Sequence, residues 1–238
     1  MLFLLGGIMQ QQALRIQPRD VEVLKFLDLV GYAPVSQIVD AIGADISEKA
    51  TLVRRLNLLC KSSYLKTFTT QNGNYYALAR KGRGDNNLIT SIKLDQLSHH
   101  DFLTQLFLLV QNNPKCFQLL SEREVINSYK TVGKNGKVPD MIINDWIIEY
   151  ERTSKSVRAS RDVVDYWTSR ERKMLCVIYE TNEIKNRYSG LLNARVKLLA
   201  REDFNDIFQI LGSSMVEQSI DNNKADDEFL NAIRSKYL

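Results

Sequence analysis

The residues best placed to do chemistry lie in one stretch, Lys137-Val138-Pro139-Asp140-Met141-Ile142-Ile143-Asn144-Asp145-Trp146-Ile147-Ile148-Glu149-Tyr150-Glu151-Arg152. Asn144-Asp145 reads as a two-residue hairpin turn. It pairs Ile143 with Trp146, Ile142 with Ile147 and Met141 with Ile148. Asp140 then stands opposite Glu149, and Glu151, two residues on, shares that face. Three carboxylates at one end of an apolar hairpin repel one another, and unpaired charges in such surroundings cost several kcal/mol each. A bound divalent cation removes the conflict. Ligands that are all oxygen select Mg2+ or Mn2+ rather than zinc. The plain alternative is a set of exposed strand-edge carboxylates with no ligand.

Other reactive side chains exclude more than they suggest. The two histidines, His99 and His100, are adjacent and point in different directions on any regular element, which excludes a three-histidine metal cage. Cys60, Cys116 and Cys176 are isolated, so there is neither a disulfide framework nor a CxxC zinc clip. That usage fits a reducing cytoplasm. With 238 residues, 44% hydrophobic and 25% charged, the chain has an ordinary globular composition and room for one large domain or two small ones. The apolar run Met1–Met9 is about half the ~20 residues of a membrane span and lacks the basic start of a signal peptide. The net charge of +4 is uneven: residues 1–93 hold 12 Lys and Arg against 7 Asp and Glu, and the remainder is near neutral. A basic first third points to a nucleic-acid contact there.

Two modules position these residues, between a leader (1–15) and a polar tail (213–238). In the first, residues 16–93, Pro18 starts a helix that Gly31 stops. A short helix follows over Pro34–Ile42, and Asp45 or Ser47 caps a third, with Leu52, Leu56 and Leu59 inward. Two β-type runs, Tyr64–Thr70 and Tyr75–Leu78, flank the hairpin signal Asn72-Gly73. Three helices and a hairpin in this order resemble a winged helix-turn-helix, whose third helix enters the major groove with the hairpin as wing. Its DNA contacts would come from Lys49, Thr51, Arg54, Arg55 and Lys61 on the helix and from Arg80 and Lys81 beyond the hairpin. A small helical domain with a solvated basic face is the alternative.

The second module, residues 94–212, opens with an apolar helix over Leu94–Gln111. Short elements at Phe117–Leu120 and Glu124–Ile126 and a turn at Gly133–Gly136 lead to strands Val138–Ile143 and Trp146–Glu151. A helix over Ser154–Arg172, a strand Met174–Tyr179, a helix over about Glu183–Leu199 and a last strand over Phe204–Leu211 complete it. The pattern is an α/β layered domain with a mixed sheet.

Pro139-Asp140 followed by Glu149-Tyr150-Glu151 resembles the PD-(D/E)xK nuclease motif, with Glu151 where the lysine usually stands. With a winged helix ahead, residues 16–200 resemble the replication-relaxation family and its MOBC-type plasmid mobilisation relaxases. The resemblance implies an α+β protein, a winged helix-turn-helix followed by a restriction-endonuclease-like α/β domain. It implies metal-dependent nicking of double-stranded DNA at a plasmid transfer origin, with an accessory relaxosome or coupling protein as partner. Asp140 and Glu149 would ligate the metal, and Glu151 would ligate it or position water. Lys155, Arg158 and Lys137 are candidates for the missing lysine's role. Glu122 can add a ligand, although a surface glutamate is the simpler reading. Lys155, Arg158, Arg161 and Arg170 either hold phosphates or form a solvated face with Asp162 and Asp165. Tyr129, Tyr166 and Tyr188 are possible nucleophiles, and activated water is the simpler one. The rival readings are a non-catalytic winged-helix regulator of replication or transcription with a degenerate nuclease fold, and a repair endonuclease.

Overall fold

The computed structural model describes residues 14–83, 91–126 and 137–207. The expectations for most of the leader, for Tyr129, for the turn at Gly133–Gly136 and for the tail 213–238 lie outside them. The chain divides between Ile92 and Lys93 into two compact units. Among the described residues no helix is long and apolar enough to cross a membrane.

The first unit runs α1 (Pro18–Val30), β1 (Tyr32–Pro34), α2 (Val35–Ala41), a 3-10 turn (Ile46–Glu48), α3 (Lys49–Lys61), β2 (Leu65–Thr70) and β3 (Gly73–Leu78). Pro18 opens α1, where its missing N–H costs nothing. Val23, Phe26, Leu27 and Val30 of α1 are buried, as are Leu52, Leu56 and Leu59 of α3. The sheet order is β1-β3-β2, antiparallel throughout.

Two details depart from expectation. Strand β1 pairs Tyr32, Ala33 and Pro34 with Ala77, Tyr76 and Tyr75. Three residues are too few to show alternation, so only tertiary pairing reveals it. The hairpin turn is Gln71-Asn72, because Thr70 already pairs with Gly73. The Thr70 hydroxyl donates to the Gly73 carbonyl (2.9 Å) and accepts the Asn72 N–H (3.1 Å), closing the turn one residue early. Gly73 then enters the strand at φ +107°, where a side chain would be strained.

The second unit contains a 3-10 turn (Leu94–Gln96), α4 (Leu97–Gln111), β4 (Leu119–Leu120), a helical stretch (122–126), β5 (Met141–Ile143), β6 (Trp146–Glu151), α5 (Val157–Asp165), β7 (Met174–Tyr179), α6 (Asn182–Arg187) and β8 (Val196–Ala200). Its five-stranded sheet has the order β4-β5-β6-β7-β8. The first three strands are antiparallel, and β6, β7 and β8 run parallel. The architecture is therefore α+β with a mixed sheet. The β5–β6 register is Met141 with Ile148, Ile142 with Ile147 and Ile143 with Trp146, around an Asn144-Asp145 turn with Asn144 at φ +53°.

On one sheet face Tyr150 packs on Phe102 of α4, ring centroids 4.1 Å apart. On the other, Ile142, Ile147, Val177 and Tyr179 form a core with Val164, Trp167 and Tyr188. The helix expected over Ser154–Arg172 is α-helical only to Asp165, after which Tyr166–Arg170 makes a π-helical turn. The helix expected over Glu183–Leu199 ends at Arg187, and its last four residues belong instead to the strand β8. Asn193 breaks the run by accepting the Arg195 N–H on its own side chain (2.8 Å), and the following Val196–Ala200 joins β7 in parallel. A short apolar run suits a helix or a buried parallel strand equally, and the neighbouring strand decides. The start of the strand expected over Phe204–Leu211 lies in a 3-10 turn, Arg201–Asp206, and residues 208–211 lie outside the described ones.

Candidate metal centre at the strand ends

Parallel strands β6, β7 and β8 end together at Glu151, Tyr179 and Ala200. The carboxyl ends of parallel strands are where open α/β sheets place ligands. Asp140 lies in the bend just before β5, antiparallel to β6, and so arrives at the same end. Its Oδ2 accepts the Tyr150 N–H at 2.8 Å, so side chain rather than backbone extends the ladder there. Asp140 is thus turned toward β6 without being a strand residue opposite Glu149.

Around Asp140 the structure gathers more than the hairpin. Its Oδ1 lies 3.4 Å from Nε2 of His99 on α4. Ligand atoms of His99, Glu122 and Asp140 all lie within 4.8 Å of one another, and all three residues are half-buried. Burial pulls the His99 pKa down, but the hydrogen bond to Asp140 and the charges of Asp140 and Glu122 raise it overall, against Arg152. The imidazole is tilted against the Tyr150 ring, centroids 5.3 Å apart. Tyr150 is fixed in turn by Phe102 and by its hydroxyl, which donates to Glu180; Glu180 is paired with Arg201 at 2.9 Å.

Glu149 projects to the other face of β6. Burial first, then the charge of Asp140, with a smaller push from Glu151, raises its pKa to about 8, against the Trp167 hydrogen bond and Lys155. That bond runs from the Trp167 indole N–H to Glu149 Oε1 at 2.8 Å. Trp167 is fully buried in the π-helical turn, a local widening common at functional sites. Tyr166 of the same turn accepts the Lys137 N–H at 3.1 Å, with the Lys137 ammonium 5.5 Å from its ring centre. The turn therefore pins both chain segments that carry the Asp140–Glu149 pair. Replacing Trp167 by Phe keeps the bulk and deletes the N–H. The carboxyl signal of Glu149, followed by NMR, should then titrate about one pH unit higher, since hydrogen bonds to charged groups contribute about 1.5–3 kcal/mol. An unmoved midpoint would show that the indole does not hold this carboxylate.

Glu151 forms an ion pair with Lys155 and stands outside the His99–Glu122–Asp140 group. The Lys155 carbonyl accepts the Tyr188 hydroxyl, so Tyr188 holds this loop; its ring is buried and stacked on Tyr179 at 4.9 Å. Arg158 is exposed on α5.

No family model, no curated protein and no solved structure matches this chain. The reading of the site therefore rests on its own geometry and on the motifs of the sequence.

In the first unit Lys49, Thr51, Arg54, Lys61, Arg80 and Lys81 are exposed. Arg55 is not free for a ligand. Its guanidinium grips Asp20 through Nε (2.9 Å) and a terminal nitrogen (2.5 Å), and also the Arg15 carbonyl (2.7 Å). Burial raises the Asp20 pKa, but hydrogen bonds from Arg55 and the Gln17 N–H and the attraction of Arg55 hold it below the usual value. Arg55 thus ties α1 to α3. The signal was in the sequence: Asp20 shares a helix face with Val23 and Leu27, and a carboxylate there needs a cation.

His99 is the residue that sequence reasoning passed over. Adjacency argued against both histidines acting together, but it left either one able to act alone. His99 lies three residues before Phe102 and so shares its helix face.

Proposed function

We propose that this chain is a DNA-nicking enzyme that works with a divalent cation, Mg2+ or Mn2+, and that its first unit is a winged helix that grips the duplex. The observation that carries the reading is the position of Asp140 between two groups. Its carboxylate faces His99 and Glu122 on one side and raises the pKa of half-buried Glu149 on the other. Four carboxylates at one sheet end, counting Glu151, are a poor structural choice and a good cation seat. Asp140 and Glu122 would hold the ion, and Glu149, on the other face of β6 and outside their group, would add its charge. A cation held there would supply Lewis acidity to a phosphodiester and acidify a bound water. Lys155, anchored through its carbonyl by Tyr188, places an ammonium beside Glu151, where it can meet the charge that grows on the phosphate.

The first unit supports the DNA-binding half. Its order of helix, strand, two helices and hairpin, with sheet order β1-β3-β2, supports that reading. In that reading α3 enters the major groove and the β2–β3 hairpin is the wing. The resemblance to the replication-relaxation family narrows the substrate to a plasmid transfer origin and adds an accessory relaxosome or coupling protein. A non-catalytic regulator is the second reading, favoured by the Glu151–Lys155 pair, which occupies the motif's usual lysine position with a neutralised carboxylate.

Relaxation of a supercoiled plasmid carrying the cognate origin, with and without Mn2+, tests the proposal; an unrelaxed plasmid leaves the regulator. Duplex affinity tests the other half. The double variant Lys49→Ala, Arg54→Ala should bind more weakly at every salt concentration. The slope of log affinity against log salt should fall by about one for each phosphate that the variant no longer neutralises. Arg55 is left intact, because its removal would act through the fold. Binding curves that overlay those of the wild type would remove α3 from the DNA interface.

A further inference from the structure

We infer that His99 is a ligand of the cation, so that the seat is a mixed nitrogen–oxygen one that prefers Mn2+ to Mg2+. The inference rests on the metal-dependent reading above and names the ion within it. Three separate elements bring the donors together: His99 from the first turn of α4, Glu122 from the helical stretch after β4, and Asp140 from the bend before β5. Nε2 of His99 and Oδ1 of Asp140 are 3.4 Å apart, and with the Glu122 carboxylate they fit within 4.8 Å. Two ligands about 2.1 Å from one ion stand about 3 Å apart when at right angles, so small side-chain rotations close this group on a single cation.

The imidazole is also pre-oriented. The Tyr150 ring lies 5.3 Å from it, and Tyr150 itself is held at both ends, by Phe102 and by Glu180. A ring fixed by packing with one nitrogen aimed at a carboxylate is how protein ligands are prepared for metals. Mg2+ takes oxygen ligands and keeps its waters, whereas imidazole suits later ions. Carboxylates from Glu122 and Asp140 keep the site hard enough for manganese. Of the all-oxygen set expected from the hairpin only Asp140 belongs to this group; Glu122 and the His99 nitrogen complete it, and selectivity follows from that nitrogen.

The test uses the full chain and Mn2+ alone, with electron spin-echo spectroscopy reading nitrogen bound to the ion. The expected result is a 14N modulation that changes to the 15N pattern when only the histidines carry 15N. It should vanish in His99→Gln and persist in His100→Gln. In His99→Gln the affinity for Mn2+ should fall at least about tenfold, since even an outer partner of a ligand is worth about 10–100-fold. Mg2+ affinity should move far less. Bound Mn2+ without nitrogen modulation overturns the inference and leaves the metal-dependent reading standing. Equal falls in Mn2+ and Mg2+ affinity in His99→Gln also overturn it, because a merely structural His99–Asp140 pair predicts that pattern. No Mn2+ binding at millimolar concentration overturns the inference and the reading together.

Discussion

Replacing Asp140 by alanine is expected to abolish metal-dependent nicking while leaving duplex affinity intact. Asp140 acts on both sides of the hairpin end, 3.4 Å from His99 and close enough to raise Glu149. Without it, the α4 side and the β6 side remain in contact through the Tyr150 ring but share no carboxylate among the described residues that touches both His99 and Glu149. A Lewis acid contributes several kcal/mol to a phosphoryl transition state. At about 1.4 kcal/mol per factor of ten, the loss should be about a thousandfold or more. The exposed cations Lys49, Arg54, Arg80 and Lys81 belong to the first unit, so fluorescence anisotropy with the origin duplex should give an unchanged affinity. Two measurements on one protein separate the roles. Nicking within tenfold of wild type would remove Asp140 from the chemistry.

What the sequence made legible was set by local rules. The Asn144-Asp145 turn leaves a two-residue loop one register, and the observed pairing of Met141, Ile142 and Ile143 is that register. Alternation likewise puts Tyr150 and Glu149 on opposite faces of β6, where they are found against Phe102 and Trp167. What stayed hidden was set by tertiary partners. Strand β8 follows from the presence of β7, as Val196–Ala200 has no preference of its own that excludes a helix. The π-helical turn leaves no sequence mark, since Tyr166–Arg170 continues the helical pattern and only the burial of Trp167 betrays the widening. The centre itself was half legible. Asp140 and Glu149 could be paired through the hairpin, but His99 and Glu122 lie 41 and 18 residues before Asp140, beyond any local spacing rule. Arg55 shows the converse error. Helical spacing places it beside Arg54, yet Asp20 on α1 claims its guanidinium.

Glu149→Gln should make the metal-free protein more stable, and the gain should grow with pH. In the folded chain Glu149 holds its proton to about 8, whereas the ordinary value for the unfolded chain is 4.5. Between those values the folded state binds more protons than the unfolded state, so stability falls as pH rises. The penalty is absent below about pH 4.5 and complete above about pH 8, where the shift corresponds to about 5 kcal/mol as an upper bound. Glutamine carries no charge at any of these values, and its carbonyl oxygen still accepts the Trp167 N–H. The variant should therefore match wild type near pH 4.5 and exceed it by a few kcal/mol at pH 9. Added Mn2+ should narrow the difference, because a cation stabilises only the state that binds it and glutamine removes a negative charge beside that seat. Urea unfolding at pH 5, 7 and 9, with and without Mn2+, reads all of this. Parallel stability curves for the two proteins across that range would mean that Glu149 is an ordinary solvated carboxylate, and the charge conflict that calls for a cation would be gone.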